Sequence, residues 1–486
     1  MAFDENEVLF TDADPGYRYT TTESIIPPPS LSTLPRKIHN IRGRGGRIVS
    51  DSRQRYQPQS QQPKDTRRNN PQQQDAEAVD TVGRFFTSVA NQNGSDLAKQ
   101  VCTSEWLRMM SEKDDVRGRH ADPRLCDIAL LQKIDTYKSS LAKVPTGVFN
   151  SACIETNPYA ELSKTIFVSP VAVLFGHLDF TFQVASEYLK PGAQPLRFVD
   201  LGSSNGGCSE YILWKANKQP INGSGDASSV HGWYFAQNSQ STHNIHVVNL
   251  DAMLPECKAK NRLTIVDNTA GITNTAEANA FACQVLDGTS SDSSSKGVDL
   301  VIGELCYEQS DLASDHEKRH YAFVIAQAAV ALQVLRRGGT FVFKMFDTTT
   351  PLSAEILFLI YSCFGRTAVV RSLVSRPTST ERYVICNRLV ADTKWAVSHL
   401  QQALTKINSG QFKLSHIVSW TKVSAEKEFI EALSQINIKL AHTQLQALRH
   451  LESVISKQQN AQTIPSSLQK NIANKCLANW DLPLLK

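Results

Sequence analysis

An α/β architecture built on a doubly wound parallel sheet is predicted for residues 196–390, and three observations predict it. Strand-like runs alternate with helical ones. One strand opens through a glycine-rich turn directly into a helix, and a long amphipathic helix precedes the strongest strand. In chain order the strand candidates are LRFVD (196–200), GWYFAQ (232–237), NIHVVN (244–249), DLVIGE (299–304), GTFVFKMF (339–346) and RYVICNRL (382–389). Their β-branched and aromatic residues suit a pleated, buried surface. In HYAFVIAQAAVALQVL (320–335) the apolar residues recur at helical spacing. Arg336-Arg337-Gly338-Gly339 after it reads as a basic last turn and a C-cap.

The turn lies in FVDLGSSNGGCSEYILW (198–214). A buried strand leads to Asp200, glycines follow at Gly202, Gly206 and Gly207, and a helix begins near Ser209-Glu210. Glycines let a backbone approach a ligand, and a helix N-terminus favours negative charge. No Lys-Ser/Thr follows the glycines and the spacing is not G-x-G-x-x-G, so neither common phosphate fingerprint applies. An Asp-x-Gly-x-x-x-Gly-Gly turn suits S-adenosylmethionine, which needs room for a sulfonium and an amino acid. An ordinary tight βα turn is the bland alternative. Ligands of doubly wound sheets sit beyond the carboxyl ends of the strands, where Asp200 and Gly202 fall.

Four regions are expected. Residues 1–80 form a disordered tail rich in Pro, Gln, Ser and Arg, with too few apolar residues to fold alone. Residues 81–190 are mostly helical, with a turn at Asn157-Pro158; 191–392 are the α/β unit; 393–486 are all-helical. The stretch between 216 and 230 and the run DGTSSDSSSKG read as surface loops. The apolar stripe of FIEALSQINIKLAHTQLQALRHLESVI reads first as core packing and second as a surface for a partner protein.

At 486 residues the chain has room for two or three domains. No apolar run approaches the ~18 residues of a membrane span, and no signal peptide opens the chain. Ten cysteines are scattered without a C-x-x-C pair, which argues against a zinc site or a disulfide framework and for a reducing compartment; no metal site is expected. The net charge of +4 is uneven. Residues 36–68 carry ten Lys/Arg against two Asp/Glu, leaving 41 basic and 45 acidic residues elsewhere. Attraction to nucleic acid would come mainly from this tail, where PRKIHNIRGRGGR reads as an import signal, an RGG-type RNA contact or a plain solvated linker.

With these elements placed, roughly residues 120–486 resemble the eukaryotic cap-1 mRNA ribose 2′-O-methyltransferases of the FtsJ-like group. The resemblance rests on RLCDIALLQKI, NPYAEL and LDFTF before the glycine turn, and on GGCSEYILW, DLVIGE, LRRGGTFVFKMFDTTTPLSAEILFLIYSCF and SRPTSTERYVIC after it. The tail SLQKNIANKCLANWDLP is also similar. It implies a Rossmann-like methyltransferase sheet with a helical N-terminal extension, S-adenosylmethionine as cofactor, capped mRNA as partner, and the nucleus or cytoplasm as location.

It also implies a site. Methylating a ribose 2′-OH needs a poor nucleophile held in line and its alkoxide favoured. The family uses a Lys–Asp–Lys–Glu set, and its second lysine and its glutamate fall on Lys344 and Glu381. Two members depart. Leu174 stands where the first lysine is expected, and Gly303-Glu304 where the aspartate is, so Glu304 is a carboxylate one methylene longer. SACIET (151–156) lacks the arginines that the family presents to RNA. Gly271 takes the place of an acidic residue that helps hold the adenosine, with Asp267 near enough in sequence to stand in. The residues implied are Lys344, Glu304 and Glu381 for catalysis, and Asp200, Gly202, Gly206, Gly207 and Asp267 for the cofactor. The departures keep open a catalytically impaired RNA-binding or partner-bound subunit.

Overall fold

The computed structural model describes residues 120–486 and the two-residue strand β1 (Phe86–Thr87). Within that span, 191–193, 219–229, 239–244, 247, 258–261, 290–295, 307–311, 314–315, 391, 410–413, 459–460 and 486 are left out. The basic tail and both expected surface loops therefore fall largely or wholly outside the described residues.

Nine strands form one sheet: β1, β2 (Leu196–Leu201), β3 (Val230–Asn238), β4 (Ile245–His246), β5 (Leu263–Asn268), β6 (Val298–Gly303), β7 (Leu335–Met345), β8 (Phe364–Val370) and β9 (Arg382–Leu389). The seven longer strands run in the order β8-β9-β7-β6-β2-β3-β5. Six of them are mutually parallel, but β9 enters antiparallel between β7 and β8, and the short β1 and β4 pair antiparallel at the margins. The sheet is thus mixed rather than all-parallel. The β8–β9 connection is a short reversal, which permits only antiparallel pairing.

Two of these strands lack a sequence signal. LTIVDN of β5 is exposed at Thr264 and Asp267, and FGRTAVV of β8 opens on Gly365 and Arg366. NIHVVN yields only the two-residue β4 among its described residues.

Arg336–Gly339 is not a helix cap. The amphipathic helix ends at Val334, and β7 begins at once with Leu335 opposite Val298. The next β6 pair is Leu300 with Thr340, so Arg336–Gly339 bulges out of the ladder, with Gly338 at φ +82°. Arg336 turns its guanidinium onto Asp299 of β6. The pair of basic residues and the pair of glycines serve a bulge here.

Eleven described α-helices surround the sheet: α1 (Ile128–Leu141), α2 (Thr146–Thr156), α3 (Pro170–Phe182), α4 (Gly207–Lys218), α5 (Thr275–Asp287), α6 (His316–Val334), α7 (Pro351–Tyr361), α8 (Lys394–Asn408), α9 (Trp420–Val423), α10 (Lys427–Ile455) and α11 (Ser466–Asn479). Several starts are legible as caps. Asp127, Ser169, Asn274 and Thr350 accept backbone N–H groups of α1, α3, α5 and α7, and proline follows the cap in α3 and α7.

Strand alternation splits the core in two. Val199, Leu201, Val301, Phe341 and Phe343 pack against α5, α6, α7 and α8; Phe198, Leu300, Ile302 and Val342 pack against α3, α4 and α11. The stripe of α10 is consumed internally. Phe429, Ile430 and Leu433 join the first core, while Leu445, Leu448 and Leu451 close over α1 and α2. Packing within the chain, not a partner protein, accounts for that stripe.

Candidate functional site

Strand order reverses between β2 and β6, which places a crevice beyond the carboxyl ends of these two strands. Leu201 pairs with Gly303, and its carbonyl accepts the N–H groups of Glu304 and Leu305, so the ends of β2 and β6 are tied together. The period of two then sets the side chains. Asp200 follows Phe198, Glu304 follows Ile302 and Lys344 follows Val342, which puts all three on the α3/α4 face. Tyr383, opposite Lys344 in the β7–β9 register, lies on the same face.

The structure brings Lys344, Glu304 and Glu381 together. Lys344 Nζ is 2.8 Å from Glu304 Oε2 and 3.4 Å from Glu381 Oε2. Ser375 Oγ donates to Glu381 Oε1 at 2.5 Å and holds that carboxylate in the β8–β9 loop. Glu304 is only 3% exposed. Burial pushes its carboxyl up, only partly countered by Lys344. For Lys344, burial disfavours the charge, but Glu304, Tyr383 and Glu381 outweigh it and hold the amine well above the ordinary lysine value. The fully buried Tyr383 sits with its ring 5.9 Å from Nζ, its hydroxyl beside Glu304 but without a hydrogen bond of good geometry. Burial first, then the two carboxylates, push that phenol well up. Sequence reading missed Tyr383, although its two-residue spacing from Glu381 was a usable signal.

Asp200 is brought to the same crevice but faces inward. Its carboxylate accepts from Ser203 N and Oγ (2.9 and 2.6 Å) and from Ser209 N and Oγ (3.1 and 2.7 Å). Tyr234 adds a bond from its hydroxyl to Ser203 O at 2.6 Å. These groups fix the turn. The glycines divide the same way. Gly202, at φ +75°, makes the left-handed step out of β2. Gly206, at φ +80°, sits where an added Cβ would meet Met253 Cε at 2.7 Å. At Gly207 a Cβ would lie 3.0 Å from Ser169 Cβ and 3.1 Å from Ala172 N. Gly206 and Gly207 thus admit protein neighbours, and Gly202 is the one at the strand edge.

Cys208, in the first turn of α4, is fully buried, and burial first, then the charges of Asp200 and Glu304, push its thiol well up. Asp267 is exposed at the end of β5, two strands from β2. Gly271 has φ +81° in a turn whose N–H groups are held by Glu277, and a Cβ there would stand 3.0 Å from the Gln237 carboxamide.

Leu174 lies 6% exposed in the same apolar layer as Val342 and Tyr383. Among the described residues, no cation besides Lys344 bridges Glu304 or Glu381. The lysine expected at 174 is therefore not replaced from another described segment. In SACIET, Ile154 is 57% exposed and Glu155 is exposed, so this helix end offers no positive charge.

Residues 180–389 match the FtsJ-like methyltransferase family. This span is an FtsJ-like methyltransferase domain. Its match runs from the end of α3 to the end of β9 and contains Asp200, Glu304, Lys344 and Glu381. Among relatives, "cap-specific mRNA (nucleoside-2′-O-)-methyltransferase 1" of Mus musculus is 24% identical over 393 residues, covering 78% of this chain and 44% of that protein. The Dictyostelium discoideum protein of the same name is 24% identical over 366 residues, covering 74% and 46%. The chain thus spans less than half the length of these relatives. Among solved structures, human methyltransferase-like protein 13 in complex with SAH aligns at a TM-score of 0.27 with 10% identity, covering 48% of this chain and 90% of that one.

S-adenosylmethionine is the methyl donor of the FtsJ-like domain, and the crevice fits it. Gly202 takes a left-handed step at the end of β2, Asp267 is exposed at the end of β5, and Gln237 Oε1 is buried without a hydrogen-bond partner among the described residues.

Proposed function

We propose that this chain transfers a methyl group to the ribose 2′-OH of a cap-proximal nucleotide in capped mRNA. The observation that carries this reading is the ammonium of Lys344 held between Glu304 and Glu381 at the carboxyl edge of β7. The donor supplies an electrophilic methyl; the residues handle the hydroxyl. Two carboxylates keep Lys344 charged, so it acts as a hydrogen-bond donor that holds the ribose oxygen and stabilises negative charge on it. Glu304, pushed up by burial, is the neighbouring group suited to take the departing proton, since a base works best with a pKa nearer the working pH. A cleft bordered by Asn157, Tyr159, Arg376, Thr378 and His450 adjoins the loop that carries Glu381 and would take the nucleotide chain. Action on capped transcripts also favours the nucleus as its place of work.

A second reading is favoured by Leu174: a methyltransferase fold with weak or no catalysis that binds RNA. Removing one positioning charge typically costs about 2–4 kcal/mol of transition-state stabilisation. A labelled-methyl transfer assay on cap-0 RNA separates the two. Transfer by the wild type that vanishes in Lys344→Ala supports the enzyme. Absence of transfer, with S-adenosylmethionine and RNA still bound in calorimetry, supports the binding protein.

A further inference from the structure

We infer that Tyr383 is a positioning residue for methyl transfer: its buried hydroxyl donates to Glu304 and keeps that carboxylate anionic while Lys344 engages the ribose oxygen. The inference rests on the function proposed above and adds a residue to it. Tyr383 stands opposite Lys344 in the β7–β9 register and on the same sheet face as Glu304. It is 1% exposed, and its hydroxyl has no hydrogen-bond partner of good geometry among the described residues. The acceptor beside it is Glu304. A buried tyrosine hydroxyl ordinarily finds a partner, and leaving one unpaired is unfavourable. Phenylalanine would fill the same space without that penalty, so the oxygen calls for a use, and Glu304 is the described group placed to supply it.

Glu304 needs such a donor. Among the described residues Lys344 Nζ, at 2.8 Å, is the one cation on its carboxylate, and Leu174 brings none. An ammonium has three N–H groups, and Lys344 already bridges Glu381 at 3.4 Å. Drawing it to the ribose oxygen weakens its hold on Glu304. Burial pushes the Glu304 carboxyl up and Glu381 adds to the push, while Lys344 and the Tyr383 hydroxyl oppose it. The Tyr383 phenol, driven well up by burial, keeps its own proton and stays a donor. The other groups facing Glu304 do not replace it. Cys208 on α4 and Tyr234 on β3 are both pushed well up by burial and so stay neutral. Asp200 on β2 is taken up by Ser203 and Ser209.

In the step served, the ribose O–H bond breaks and its proton goes to a Glu304 oxygen. The electron pair stays on the ribose oxygen for the incoming methyl. Tyr383 exchanges no proton; it holds the acceptor.

Tyr383→Phe in the full chain isolates the hydroxyl, since it keeps the ring 5.9 Å from Lys344 Nζ. Methyl transfer from S-adenosylmethionine to cap-0 RNA is measured as a pH profile. Because kcat reports groups in the bound complex, losing one hydrogen bond to a charged group should move its acid limb up by about one pH unit. That lowers the rate about tenfold on the limb and little on the plateau above it, with the KM for RNA held within about twofold. Urea unfolding gives a second readout that needs no turnover. A carboxyl raised further in the folded state lowers stability above the ordinary carboxylate range. Tyr383→Phe should therefore be less stable than wild type at neutral pH, by a gap that closes as pH falls towards that range. A wild-type kcat profile, a rate loss equal at every pH, or a stability gap that does not move with pH overturns the inference and leaves the enzyme standing. A wild type that transfers no methyl overturns both.

Discussion

Removing the Lys344 amine probes the centre of the site. In Lys344→Met the apolar stem is kept and the charge goes. Nζ stands 2.8 Å from Glu304 and 3.4 Å from Glu381, which at an effective dielectric constant of about 20 corresponds to gross attractions of roughly 6 and 5 kcal/mol. Desolvation cancels much of this, and breaking a buried pair from one side typically costs about 3–5 kcal/mol. Glu304 keeps only 3% of its surface, so water cannot replace the lost partner. Urea unfolding at pH 7.5 should register a loss in that range. Burial already raises the Glu304 carboxyl with the ammonium in place. Without it the folded state binds that proton still more tightly, so the deficit should shrink as pH falls towards the ordinary carboxylate range. Adding Glu304→Gln should recover most of the stability at pH 7.5 without restoring methyl transfer. A Lys344→Met protein as stable as wild type, or a deficit that does not move with pH, refutes the buried ion pair.

Burial pushes the His177 ring down to about 4, and its Nδ1 lies 3.0 Å from Ser372 Oγ. A depressed folded value means stability complete above the unfolded pKa of about 6.5 and lost as pH falls towards 4, at most about 3 kcal/mol. His177→Phe should flatten that part of the stability–pH curve; an equal acid loss in the variant would dismiss His177 as the cause. Gly206→Ala should cost about 1–2 kcal/mol in thermal unfolding from the left-handed backbone alone. Met253→Ala in the same chain should relieve only the 2.7 Å contact. Leu174→Lys should lower stability, since it buries a charge in an apolar layer, yet raise methyl transfer about tenfold or more if the position still faces the carboxylates. Lower stability with no gain in transfer would show that it does not.

Glu304, Lys344 and Glu381 were named only through the family resemblance, whereas the glycine turn, five of the seven long strands and a helix at 320–335 were legible beforehand from periodicity and local motif chemistry. The two added strands were not. β5 is half exposed, and β8 is specified by its place beside β9 rather than by its own pattern. Arg336–Gly339 misled because basic residues and paired glycines serve a helix end and a bulge equally well in one dimension. Only the offset between Val298 and Leu300 decides for the bulge. Asp200 misled in another way. An acidic residue after a strand reads as a ligand contact, and nothing local shows that Ser203 and Ser209 take up its carboxylate.

The sequence by itself determined the α/β class, the turn after β2 and the residue types available for methyl transfer. Each of these depends on neighbours within a few positions or on a pattern of fixed period. The tertiary structure alone decided that β9 runs against its neighbours and that Lys344 sits between two carboxylates with no second described cation. It also decided that Leu174 packs in the layer beside them and that Gln237 turns an unpaired amide towards Gly271. Those facts join residues tens to hundreds of positions apart, and the burial and electrostatics that give them meaning arise only when the strands have been laid side by side.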